Sequence, residues 1–259
     1  MAVSVREFWI VKHWDLIKLL TINDLKIKYH PTYLGLVWSL LSPLLLLVVL
    51  YFIFYNIRHL EANFAQYLLI GILTWRFFTN ATMSSLSVIK QRSSILANIV
   101  IPSEIFVLTE NLSALISFTL EFIILIPLVA LLTGAISYYV VLFPLFHILY
   151  LLVGLGLSLI LASLYPYFRD LGEIWPFVIQ LGFFVCPILY PITIIPNAIR
   201  GIYLLNPVTQ IMIMYRDIVL YGVLPPLIDV GYTLVFGICI VIMGHYLFKK
   251  LEKRFVEVI

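Results

Sequence analysis

Charge is what this sequence has least of: Asp, Glu, Lys and Arg make up 11% of its 259 residues, against about a quarter in soluble domains. The only charge-rich stretch of any length is 1–35, so one membrane domain over 1–259 is expected, with no independent soluble domain. Nucleotide-binding chemistry is missing too. None of the 12 glycines precedes a lysine, which rules out the P-loop, where that step sets backbone amides and an ammonium on the phosphates. The five histidines form no HExxH pair and no serine sits in GxSxG, so no catalytic residue and no metal ligand is assigned. Both cysteines, Cys186 and Cys239, fall in apolar segments and read as small buried hydrophobes rather than a disulfide. The layout of a cleaved signal peptide is absent as well, because the first long apolar run begins only near Leu36, after an amphipathic stretch.

What replaces charge is hydrophobicity, 63% of residues with a mean hydropathy of +1.09. It is gathered into runs near the roughly 20 residues that a helix needs to cross about 30 Å of hydrocarbon. Six transmembrane helices are expected, at 36–57, 66–86, 107–132, 139–164, 174–190 and 230–248, which makes the fold an all-α polytopic membrane protein. Before them, Val5, Phe8, Trp9, Leu16, Leu19 and Leu20 share one helical arc. That arc predicts an amphipathic interface helix, resting on headgroups or on a partner's soluble domain. In the fourth span, Gly154, Gly156 and Ser158 predict a close helix contact.

Residues 191–226 are too apolar for an ordinary loop, yet Pro191, Pro196, Pro207, Pro225 and Pro226 leave no run long enough to cross. Short re-entrant helices dipping into the outer half of the membrane fit, since broken backbone is tolerated where protein or a watery cavity satisfies it. An interfacial loop on the headgroups is the other reading. Lys and Arg set the orientation. With six crossings, one side collects twelve of them: Arg6, Lys12, Lys18, Lys26, Lys28, Lys90, Arg92, Arg169, Lys249, Lys250, Lys253 and Arg254. The other side has Arg58, Arg200 and Arg216. Positive charge stays inside, so both termini and the 87–104 loop are expected in the cytoplasm.

Three charges fall within spans, Arg76 in the second and Glu110 and Glu121 near the start and middle of the third. Arg76 and Glu121 lie at depths that differ by roughly 6 Å when counted along adjacent antiparallel helices, so they are expected to form an intramembrane ion pair; the alternative has both facing a wet pathway. With Glu110 they could also serve as the relay of an ion-coupled secondary transporter, although no inverted repeat of the usual kind is visible. A scaffold for a membrane glycosyltransferase complex is a third class that the residues leave open.

The segment Thr21 to Pro43, TINDLKIKYHPTYLGLVWSLLSP, resembles the opening of the transmembrane subunits of bacterial polysaccharide ABC exporters, the ABC-2 type permeases that export O antigen, teichoic acid or capsule. Asp24, Leu25, Lys26, Tyr29, Leu34, Gly35, Trp38 and Pro43 fit the family's pattern, while Asn23 and Thr32 stand where Arg and Ser are usual. Further matches follow in order: Asn98 to Pro102, the FRDL turn at Phe168 to Leu171, Pro187 to Pro191 with Cys186 in place of Ser, and Asn206 and Pro207 with Arg216.

The resemblance implies a half-transporter in the bacterial inner membrane. Two copies of the chain form the pore for a lipid-linked polysaccharide, and two separate ATP-binding subunits bind ATP and Mg; the chain itself takes no cofactor, and no nucleic-acid partner is expected. The 87–104 loop would couple to the ATPase, with Asp24, Lys26, Tyr29, Arg92, Ile95, Asn98, Ile99 and Pro102 as contact residues. Aromatic rings suit a sliding sugar, whose C–H face can lie on the ring without fixed hydrogen-bond geometry. Tyr51, Tyr55, Phe183, Phe184 and Tyr190 are the candidates for the pathway.

Overall fold

The computed structural model describes residues 13–29, 35–57, 63–98, 101–133, 137–253 and 255. All regular structure among them is helical. The chain runs through α1 (Trp14–Tyr29), α2 (Gly35–Ile57), α3 (Phe64–Gln91), α4 (Ser93–Asn98) and α5 (Glu104–Thr133). A 3-10 turn (Tyr138–Leu142) leads into α6 (Phe143–Leu164), followed by α7 (Leu171–Val185), α8 (Asn197–Leu204), α9 (Pro207–Arg216), a π turn (Asp217–Tyr221) and α10 (Leu227–Glu252). The protein is therefore all-α and polytopic. Among the described residues, four helices are both long and apolar enough to cross a membrane, within Val37–Phe54, Glu104–Leu128, Tyr138–Leu164 and Leu227–Glu252.

The two remaining candidates differ for physical reasons. At 28 residues, α3 is about 42 Å long, and it sits at the centre of the bundle against α2, α5, α6, α7 and α9. Enclosed by protein, it has no need of an all-apolar surface, and it carries Arg76, Asn80 and Ser84. Its run continues to Gln91 rather than stopping at 86. By contrast α7 has only 15 residues, ending at Val185 rather than 190. Pro187 disfavours helical backbone at the residue before it, and Cys186 is extended, with φ −67° and ψ 146°.

Beyond that break, Asn206 caps α9 by accepting from Val208 N at 3.0 Å, and Pro207 takes the first helical position, where its missing N–H costs nothing. Gly222 ends the π turn in the left-handed region, φ 63°. Cys186 is buried as expected, but Cys239 is exposed on the outer face of α10. In an apolar transmembrane helix with one face on its neighbours, the remaining positions meet lipid, and a small apolar thiol suits either. The arc from Val5 to Trp9 lies outside the described residues.

Helices α6 and α10 approach closely at two glycines. A Cβ on Gly156 would stand 2.5 Å from Ile240 Cγ2 and 2.7 Å from the backbone there, and one on Gly244 would stand 2.6 Å from Gly156 O. Backbone cannot yield as a side-chain tip can, so Gly156→Leu is expected to lower the stability of the solubilised subunit by about 1–3 kcal/mol. Gly231→Ala, whose Cβ meets nothing within 4 Å, serves as the comparison in a melting experiment. Equal melting temperatures for the two variants would remove this contact from the account.

Polar bonds join the central helices where hydrocarbon offers no alternative partner. Asn111 on α5 donates to Ser85 Oγ of α3 at 3.0 Å and accepts from Ser158 Oγ of α6 at 3.3 Å. Tyr150 donates to Thr74 O at 2.7 Å, and Trp175 donates to Thr82 Oγ1 at 3.1 Å. An aromatic core of Phe77, Phe118, Phe122, Phe143, Tyr150 and Tyr215 fills the space between them, with His147 stacked 4.6 Å from Phe118.

Candidate functional site

Helical spacing places Arg76, Thr79, Asn80, Met83, Ser84 and Gln91 along one stripe of α3, and Glu110, Ser113, Ser117 and Glu121 along one stripe of α5. The α3 stripe is half-buried or exposed along its length, whereas on α5 only Glu110 and Ser113 reach a cleft and Ser117 and Glu121 are buried. One cleft of about 410 Å³ is lined by Asp24 and Lys28 of α1, Asn80, Ser84, Gln91 and Arg92 at the end of α3, and Glu110 and Ser113 of α5. A second, of about 440 Å³, lies between α2 and α7 over α3, lined by Leu46, Trp75, Arg76, Thr79, Asn80, Gln180, Phe183 and Phe184 among others. Asn80 belongs to both. The clefts therefore adjoin, and together they make a groove in which polar side chains alternate with apolar ones such as Ile27, Met83, Leu46 and Ile179.

Charges along this groove alternate in sign. Arg92 Nη2 donates to Asp24 Oδ1 at 2.6 Å and to Glu110 Oε1 at 3.1 Å. Lys28 Nζ and Tyr29 Oη donate to Ser117 Oγ, at 3.1 and 2.8 Å. The lysine stem lies exposed, but burial of its head against α5 holds the ammonium below the ordinary lysine range, opposed by the Glu121 charge. About 16 Å along α5 from Glu110, Glu121 meets Arg76, with Nη2 to Oε1 at 3.2 Å and Nε to Oε2 at 3.4 Å. Arg76 Nη1 also donates to Ser42 Oγ of α2 at 3.2 Å. Among the described residues no group of three His, Cys, Asp or Glu side chains converges as a metal would require.

Of the aromatic candidates, Phe183 and Phe184 line the second cleft. Tyr51 does not: it is half-buried at the α2–α3 contact, its ring 6.2 Å from Phe64. The Tyr55 side chain lies outside the described residues. Tyr190 turns back on its own helix, donating to Val185 O at 2.6 Å and Phe184 O at 3.1 Å, where it satisfies carbonyls that α7 leaves open when it stops early. Trp75 takes the place in the cleft instead. A Cβ on Gly182 would stand 2.6 Å from its indole, so α7 leans directly on that ring.

The expected ATPase contacts divide in two. Lys26 and Ile95 are exposed, and Pro102 is half-buried. Asp24, Tyr29 and Arg92 are turned inward, tying α1 to α5 and to the α3–α4 turn. The Asn98 side chain and Ile99 lie outside the described residues. Asn80 and Gln180 escaped the reading of the sequence, although each carries a signal: Asn80 follows Arg76 by four residues, on the same face, and Gln180 is the one amide in α7.

Residues 15–220 match the family described as ABC-2 type transporter. The chain is 30% identical over 250 residues to the O-antigen export system permease protein RfbA of Klebsiella pneumoniae, covering 95% of each. It is 31% identical over 225 residues to the protein of that name in Myxococcus xanthus, covering 84% of each. To the polysialic acid transport protein KpsM of Escherichia coli it is 22% identical over 244 residues, 92% of this chain and 93% of that one.

Proposed function

Because this chain belongs to the ABC-2 type transporter family, we propose that it is the membrane subunit of an ATP-driven exporter of lipid-linked polysaccharide, with O antigen as the polymer. The observation that carries the reading is the pair of clefts joined at Asn80. Amide, hydroxyl and charged groups line its length, and two aromatic rings of α7 together with Trp75 stand at one end. Polyhydroxylated chains need that mixture: polar groups exchange hydrogen bonds with sugar hydroxyls, and rings hold the C–H faces without locking them. Relatives named for O-antigen export match at higher identity than the one named for polysialic acid, which favours O antigen over capsule.

The positive-inside asymmetry supports a cytoplasmic α1 end, with both termini inside and the α8–α9 segment re-entrant from the outside. In this arrangement α3 and α7 complete six crossings, and α7 reaches the outer surface through the 186–190 turn. A single bundle presents the groove on its flank, so two copies facing each other would enclose the path. Energy would come from two ATP-binding subunits docked on α4, where Ile95 is exposed on the side expected to face the cytoplasm.

Co-purification with the ATP-binding subunit and reconstitution into liposomes tests the reading. Lipid-linked O polysaccharide is expected to stimulate ATP hydrolysis and to enter the lumen only with ATP. Asn80→Trp, which plugs the junction of the two clefts, should cut export by about tenfold or more, the scale at which one misplaced group disrupts a positioned path. Transport driven by an ion gradient without ATP would reject the exporter, and full export by Asn80→Trp would move the path elsewhere.

A further inference from the structure

Two of the residues expected to touch an ATPase, Asp24 and Arg92, pair with each other and with Glu110, and that pairing carries a consequence for how motion spreads through the subunit. Arg92 is the turn between α3 and α4, its backbone N–H bonded to Val88 O at 3.0 Å. Its guanidinium lies 5.3 Å over the Phe106 ring of α5 while one nitrogen serves both Asp24 of α1 and Glu110 of α5. Three elements thus meet at a single guanidinium. The dependence is lopsided, because the second oxygen of Asp24 is buried with no donor among the described residues, so Arg92 is the donor that carboxylate relies on.

Elsewhere α1 and α5 already form one body. Ile17 and Thr21 are buried, and Lys28 and Tyr29 both bond to Ser117. Among the described residues the short helix α4 contacts the end of α3, so a push on α4 reaches the α1–α5 body by the lever of α3 and by Arg92. A guanidinium that engages two carboxylates on different helices can favour one over the other through a small rotation, the kind of two-state element that a relay needs. Asp24, Arg92 and Glu110 also form a wall of the first cleft, so either arrangement changes its mouth.

We propose that Arg92 is a positioning residue that passes displacement of α4 to α1 and α5, and so links the energy-supplying partner to the mouth of the groove. The proposal rests on the docking of the ATP-binding subunit at α4. The charges facing Arg92 are those two carboxylates, and Lys would keep the charge but lose the planar guanidinium whose seat over Phe106 holds Nη2 between both.

Polymer exported per ATP hydrolysed is the readout in reconstituted complex, with lipid-linked O polysaccharide as the probe. Arg92→Lys is expected to reduce that ratio by about tenfold, the upper part of the range for residues that carry coupling without touching ligand, and Arg92→Gln by more. Rebuilding the bond with polarity reversed, Arg92→Asp with Asp24→Arg, should recover part of the loss. A purely structural role would lower melting temperature and yield together and leave the ratio intact, and that result overturns the relay. So does an unchanged ratio in Arg92→Lys, which keeps the charge if Arg92→Gln fails to fold. Ile95→Asp separates the two readings: if it leaves assembly with the ATP-binding subunit untouched, docking at α4 is wrong, whatever the Arg92 ratio reports.

Discussion

Arg216→Ala is expected to release the segment between α7 and α10 from the bundle, the largest effect of any single substitution outside the groove. The guanidinium is buried and lies with its centre 3.4 Å from that of the Tyr67 ring. It donates to Pro187 O and Tyr67 Oη, both at 2.7 Å, and to Ile188 O and Tyr67 O at 3.2 and 3.3 Å. Those carbonyls at 187 and 188 belong to the irregular backbone that follows the early end of α7; without the arginine Pro187 O keeps only a long bond from Tyr67 Oη, at 3.3 Å, and Ile188 O loses its guanidinium donor. Orphaning buried acceptors costs about 1–3 kcal/mol each, so a total on the order of 4 kcal/mol follows, with fast proteolysis between 186 and 206. Lysine at 216 should rescue little, since one ammonium cannot serve this forked set. Gly71→Ala is the milder companion, because its Cβ would stand 2.8 Å from Arg216 Nη2. Wild-type melting and wild-type proteolysis in Arg216→Ala would show that other contacts hold the segment.

For the Arg76–Glu121 pair the two halves are expected to respond unequally. Glu121 is 3% exposed and Arg76 28%, so removing the arginine strands a carboxylate inside the bundle, whereas removing the carboxylate leaves a cation that already faces the cleft. Arg76→Ala should therefore cost about 3–5 kcal/mol, the range for breaking a buried pair from one side, lowered to the extent that Glu121 takes up a proton. Glu121→Gln should cost less, because the amide can still accept from Arg76. Exchanging the two residues is expected to restore stability only in part, since the reversed pair puts the longer side chain in the tighter place and loses the bond to Ser42. Thermal unfolding of the three variants and the wild type in one detergent measures this order. If Arg76→Ala melts as the wild type does, the pair is not what fastens α3 to α5; if Glu121→Gln keeps its stability and loses export, both residues belong to the path.

Much of this was legible before any coordinates. The long apolar runs exclude a soluble fold and demand helices, because in hydrocarbon only helices or closed barrels satisfy every backbone group. The prolines at 187, 191, 196, 207, 225 and 226 announced an interrupted segment, since each removes an N–H and restricts its neighbour. Depth arithmetic along two antiparallel helices brought Arg76 to Glu121. Gly156 signalled a close approach, although nothing local identified Gly244 of α10 as the residue it would meet.

Rotation about each helix axis, and the choice of neighbours, came only from the tertiary structure. Tyr51 and Phe183 are both aromatic residues in membrane helices, yet one packs against Phe64 and the other lines a cleft. Likewise Asp24 and Arg92 are charges on what reads as the cytoplasmic side, indistinguishable by composition from partner contacts, but folding spends them on each other and on Glu110. Composition and periodicity act within a segment, so they determined that these helices exist, roughly how long they are and where they break. Which face of each meets protein, lipid or water depends on contacts between residues as far apart as Tyr67 and Arg216, and lipid is nearly as good a solvent for an apolar face as another helix is, so hydrophobicity along the chain carries almost no information about that choice.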